Sequence, residues 1–167
     1  MLLQLMVVAA QMPEMARLAK ALAGDWNTVE VVQYAKPVPN GQGRHGTDRV
    51  HVAGGGTVLV FEGHTNGSIG GELQWYSVFW WDSSDSLYRY LTCFRAGQDS
   101  GCQLRGTAHW EGANFVNEYE EPEDGKMTKM RDVWSDITPN SHTLTEFHDT
   151  GSGGWKAFVV NHDTRMP

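Results

Sequence analysis

From Trp26 onward the chain repeats one pattern: runs of roughly 8 to 10 residues in which apolar and polar side chains alternate, each followed by a short turn cluster. Examples are "WNTVEVVQYA", "TVLVFEGHT", "LQWYSVFWWD", "LYRYLTCFR" and "WKAFVVNHD", separated by "GGG", "NGSIGG", "SSDS", "PEDG" and "TGSGG". A period of two is the signature of a half-buried strand, and the Gly, Asn, Asp and Pro clusters supply the φ values that turns need. A parallel return needs a crossover of about a dozen residues, and no connection reaches that length, so successive strands must pair antiparallel. The pattern therefore predicts an all-β fold, an antiparallel up-and-down β-barrel of about ten strands with a short N-terminal helix. Closure removes exposed edges, and a barrel of about eight or more strands encloses one small ligand. A two-layer sandwich is the competing architecture, and the lack of long Greek-key connections disfavours it.

Residues 1–12, "MLLQLMVVAAQM", form an apolar segment ahead of a single barrel domain over residues 13–167. The segment lacks a cationic start and carries only a loose cleavage site. Two readings stay open: a signal remnant, with the protein exported to the periplasm or beyond, or an arm that packs on the domain of a cytoplasmic protein. A membrane span needs about 20 apolar residues, so no transmembrane segment is expected. Pro13 suits a first helical position, Met15, Leu18, Ala19 and Leu22 recur at helical spacing, and Gly24 reads as the stop. With 20 acidic against 13 basic residues, a net charge of -7 and no Lys/Arg run, nucleic acid is excluded as a partner.

Signatures of phosphate, dinucleotide, serine-hydrolase and zinc chemistry are missing from the sequence. The seven histidines are dispersed, so no metal and no cofactor is indicated, a single-histidine haem site being the minority alternative. In "CFRAGQDSGC", a two-residue turn at Gly97-Gln98 pairs Cys93 with Cys102 at a close-approach position. They are either a cross-strand disulfide or two small buried thiols. A two-residue turn at Pro139-Asn140 sets Arg131 opposite His148 and Val133 opposite Glu146. Arg131, Glu146 and His148 then share a face, as an anchor for a ligand carboxylate, as acid/base groups, or as a solvent-facing charge cluster.

Alternation groups Trp26, Thr28, Glu30, Val32 and Tyr34 on one face, Tyr76, Val78 and Trp80 on another, and Tyr88, Tyr90 and Phe94 on a third. Tyr76, Trp80 and Tyr90 are the candidate aromatic wall of a pocket. Trp75, Phe79 and Trp81 fall on the opposite side of their strand, read as an outer apolar face that packs on the helix or on a second copy in a homodimer. Glu118, Glu120, Glu121, Glu123 and Asp124 read as a solvated acidic edge.

The helix followed by Gly24-Asp25-Trp26 resembles the G-x-W opening of the lipocalin and fatty-acid-binding, or calycin, barrels. "GGGTVL" at Gly54 to Leu59 and "VFWWDSSDSLYRY" are similar to short motifs of the bacterial lipocalin-like family known as domain of unknown function 1579. The resemblance spans about Leu18 to Arg165. It implies a barrel with a cavity and structural roles for Gly24 and Trp26, the tryptophan plugging the closed end. The residues then point to a protein that binds a small apolar or amphipathic ligand in its lumen. The alternatives are an enzyme that uses His148 and Glu146 for proton transfer, a haem-binding barrel, and a structural module whose lumen is filled by its own side chains.

Overall fold

The computed structural model describes residues 12–33, 43–67, 71–96, 99–123 and 125–167. One helix, α1 (Pro13–Leu22), precedes ten strands: β1 (Gly24–Val32), β2 (Gly43–Ala53), β3 (Val58–Gly67), β4 (Glu72–Asp82), β5 (Leu87–Ala96), β6 (Asp99–Glu111), β7 (Asn114–Glu123), β8 (Lys126–Ser135), β9 (Ser141–Asp149) and β10 (Trp155–Arg165). Each strand pairs antiparallel with its neighbours in sequence, and β1 pairs with β10, closing an up-and-down barrel. The expected fold class and the N-terminal helix are both observed. Tyr34, Gly97, Gln98, Asp124 and residues 1–11 of the apolar segment lie outside the described residues.

Helix α1 closes one end of the barrel. Glu14 in its first turn and Lys20 in its last complement the helix dipole, and Met15, Leu18 and Leu22 point into the core. The helix ends at Leu22, with the Ala23 N–H bonded to the Ala19 carbonyl. Gly24, expected to be the stop, is instead the first residue of β1. Its φ of +152° lies outside the range that L side chains favour, and the Arg165 guanidinium fills the space where its Cβ would stand. Trp26 is wholly buried: its indole Nε1 donates to the Leu22 carbonyl at 3.0 Å, His142 meets its ring edge-on, and Arg165 lies over its face at 4.2 Å. Leu59, Phe79, Tyr88, Phe115 and Trp134 complete the core around this end.

Two registers decide what faces inward. The β8–β9 connection is not the expected two-residue turn at Pro139-Asn140. Tight hairpin turns need positive φ at their first central residue, and proline fixes φ near −65°, so Pro139 could not hold that position. The connection is a five-residue loop from Asp136 (φ 52°) to Asn140, held by Thr138 Oγ1 accepting from the Asn140 and Ser141 N–H groups. The register is thereby slipped by one: Arg131 stands opposite Phe147, and Asp132 opposite Glu146. On β4 both faces are apolar, so alternation alone does not orient the strand. Pairing of Phe79 with Leu59 and with Tyr90 turns Trp75, Ser77 and Phe79 inward, leaving Tyr76 and Trp80 exposed outside. At the β5–β6 tip the expected register runs from Ala96 opposite Asp99 to Phe94 opposite Gly101 and shifts at Cys93, which forms a disulfide with Cys102.

Candidate functional site

Beyond the aromatic core the barrel encloses a cavity of about 410 Å³ in the half remote from α1, within the size range of small-molecule sites. Phe61, Phe79, Tyr90 and Trp134 form its floor, with Phe79 stacked on Tyr90 and set edge-on to Trp134. Trp75 extends the aromatic wall because Gly63, its partner on β3, has no side chain: a Cβ there would overlap the indole ring.

The wall is two-sided. Strands β3 to β6 contribute Phe61, Leu73, Trp75, Phe79, Tyr90, Phe94 and Leu104, relieved by Ser77 and Thr92, whose hydroxyls bond each other at 2.7 Å. The remaining arc, β7 to β10 with β1 and β2, contributes polar groups in two cross-strand sets. Asn117 pairs with Asp132, Asp132 with Glu146, Asn161 with Glu30, and Glu30 with Arg44. Alternation accounts for each member: Asp132 lies two residues from inward-facing Trp134, and Glu30 four from Trp26.

Arg44 closes on Glu30, with Nε and a terminal nitrogen both 2.6 Å from Glu30 Oε1, and Glu30 is 3% exposed. Asp132 accepts from Asn117 Nδ2 and from the Tyr119 hydroxyl, each at 3.3 Å. Burial is the main reason its carboxyl is pushed up to about 7, and Glu121 adds to the rise against the two donors. Glu146 is likewise raised, by burial first and then by Asp132, Glu30 and Glu121. Deeper in, Asp48 is raised by burial and by Asp163, which accepts from Thr28 at 2.6 Å and lies 3.1 Å from His142 Nε2. Several buried polar atoms of cavity-lining residues have no hydrogen-bond partner among the described residues: Asn117 Oδ1, Asn161 Oδ1, Asp48 Oδ1, His142 Nδ1 and the Tyr90 hydroxyl. Burial raises Tyr90 and Tyr119 above the ordinary phenol range, so both stay neutral donors.

Of the residues singled out in the sequence, Tyr90 and Glu146 line the cavity. His148 follows Glu146 on the same side of β9, its ring stacked on Phe158. Arg131 points outward, a consequence of the register slip, pairing with Glu111 and lying near the Trp155 ring. Tyr76 and Trp80 are on the outer surface, Tyr76 in a shallow external groove with Glu62, His64 and Gln74. Glu121, read as part of a solvated edge, lines the lumen. Asp132, Asn117, Asn161, Tyr119 and Arg44 were not singled out in the sequence, and Trp75 and Phe79, expected on an outer face, line the cavity. The signal for Asp132 and Asn117 was their two-residue offset from Trp134 and Phe115. Arg44 and Asn161 could be placed only through long-range pairing with β1. Among the described residues no cluster of ligating side chains is arranged to hold a metal ion, and no helix is long and apolar enough to cross a membrane.

No protein-family model matches the chain, and no curated protein matches it.

Proposed function

We propose that this chain is a lipocalin-like binding protein that holds a small apolar or amphipathic molecule in the barrel lumen. The observation that carries the reading is the cavity of about 410 Å³, bounded by an aromatic arc facing a polar one, with buried polar atoms that have no partner among the described residues. A buried donor or acceptor left unpaired costs about 1–3 kcal/mol, a cost that a ligand or ordered water in the lumen relieves. A protein using its barrel as a structural module would fill that space with side chains, and here it is open. The haem alternative has little support from His142, the one histidine lining the cavity among the described residues, since its Nε2 faces Asp163 and its ring packs on Trp26. Tyr76 and Trp80, exposed on β4, supply the surface on which a second copy would pack.

The test is native purification followed by organic extraction and mass spectrometry, in parallel with a Ser77→Phe variant that fills the lumen from the apolar arc. One small organic molecule should co-purify with the native protein in near-stoichiometric amount and be absent from the variant. Equal recovery from both proteins would place the molecule outside the lumen and overturn the reading.

A further inference from the structure

The lumen's own chemistry narrows the ligand class, on the footing of the binding role proposed above. Among the described residues, the carboxyl groups of Glu30, Asp48, Glu121, Asp132 and Glu146 line the cavity, and Arg44 is its one guanidinium. That guanidinium is already committed to Glu30 through two contacts of 2.6 Å. The directly opposed Asp132 and Glu146 thus face the cavity with no basic side chain in ion-pair contact among the described residues. A ligand carboxylate or phosphate would meet every ionised member of this arc as a like charge, which is strongly unfavourable in a low-dielectric site, whereas a cation favours the ionised form of the pair.

A second, independent observation points the same way. Asn117 is 2% exposed and Asn161 5%, both residues line the cavity, and the buried side-chain oxygen of each has no donor among the described residues. The amide of Asn117 is oriented by its own Nδ2, which donates to Asp132, so its Oδ1 is left as an acceptor beside the carboxyl pair. The unmet demand is therefore for N–H or O–H donors. An ammonium group supplies three donors and a positive charge at once. Trp75, Phe79 and Tyr90 line the same cavity, and aromatic rings suit both an apolar body and an adjacent cation. A volume of about 410 Å³ equals about fourteen waters at roughly 30 Å³ each, enough for one ring and a short chain.

We propose that the lumen takes a protonated primary amine carried on a ring-sized apolar body, its ammonium between Asp132, Glu146 and the Asn117 amide oxygen and its body against Trp75, Phe79 and Tyr90. Binding of the cation holds the carboxyl pair in its ionised form, so uptake releases protons to solvent.

Three probes of one shape separate the chemistry: 4-phenylbutylamine, 4-phenylbutanol and 4-phenylbutyrate, titrated calorimetrically into the full chain near neutral pH. The amine should bind about tenfold or more tighter than the alcohol, the difference between charge-assisted and neutral hydrogen bonds, and the carboxylate weakest of the three. Asp132→Asn with Glu146→Gln should remove the preference for amine over alcohol while leaving alcohol binding in place. Repeating the amine titration in buffers of different ionisation enthalpy should reveal proton release. Alcohol or carboxylate binding as tightly as the amine in the native chain overturns the amine proposal and leaves the lumen as a binding site. Failure of all three to bind overturns the lumen reading and this proposal together.

Discussion

Asp132 on β8 and Glu146 on β9 are direct cross-strand partners, with both carboxyls turned into the lumen. Directly opposed like charges destabilise a sheet, and burial adds the cost of desolvating each ionised form. The pair is a poor choice for stability and a good one for holding a cation or a proton. A site that conflicts with local stability rules is where function is expected to concentrate.

The pair makes stability depend on pH. Unfolded, both carboxyls titrate near their ordinary values of about 4. Folded, Asp132 is held up at about 7 and Glu146 is also raised, so the folded state binds more protons over that interval. The Asp132 contribution is fully present below about pH 4 and is lost as pH rises through about 7, and Glu146 acts in the same direction. Asp132→Asn should flatten this loss, gaining on the order of a few kcal/mol relative to the native chain at about pH 8 compared with about pH 5. Urea unfolding at the two pH values checks it. Equal pH slopes in both proteins would contradict it.

Glu30 is almost wholly buried, and Arg44 is its cation. Removing one partner of a buried pair leaves an uncompensated charge, so Arg44→Met should cost about 3–5 kcal/mol. Replacing both, as Glu30→Gln with Arg44→Met, should cost clearly less than Arg44→Met alone. A double-mutant cycle on unfolding free energies measures the coupling. Additive losses would argue that the pair is not an energetic unit.

Gly63 sets the position of Trp75. Its replacement by valine puts a side chain where the indole ring lies, and the ring must leave the wall of the lumen. Overpacking of this kind typically costs about 1–3 kcal/mol. Binding of 4-phenylbutanol should weaken by roughly tenfold with the loss of one aromatic wall contact, about 0.5–1.5 kcal/mol beyond its area. Unchanged affinity would remove Trp75 from the site.

The disulfide from Cys93 to Cys102 closes a short loop at the β5–β6 tip. Loop-closure entropy for a loop of this size gives about 2–3 kcal/mol, so a Cys93→Ala, Cys102→Ala double variant should unfold at lower denaturant by that amount. Reduction of the native chain should give the same midpoint. A midpoint unmoved by either treatment would mean that the bond contributes nothing to stability.

The sequence carried the architecture plainly, and the site much less so. Period-two runs, turn chemistry and the shortness of every connection led to a closed ten-stranded meander, because each of those signals is local. The place of Trp26 at the closed end was only what the resemblance of Gly24-Asp25-Trp26 to a G-x-W opening implied, and Gly24 opens the strand where it was expected to end the helix. The lumen depends on which face of each strand turns inward, and that is settled by pairing across the barrel. On β4, with aromatics on both faces, nothing local separated Trp75 and Phe79 from Tyr76 and Trp80. On β8 a single-residue slip exchanged Arg131 for Asp132 and reversed the sign of the charge facing the cavity. The proline at position 139 was the available warning, since it cannot occupy the turn that the other register requires.

Four indole N–H groups offer the most direct test that the lumen is where a ligand sits. Trp75 and Trp134 line the cavity, whereas Trp80 and Trp155 are exposed outside it. In proton–nitrogen correlation spectra of the labelled chain titrated with 4-phenylbutanol, the Trp75 and Trp134 signals should shift together and saturate along one binding curve. Trp80 and Trp155 should stay in place. Movement of the outer pair with the inner pair unmoved would contradict the account.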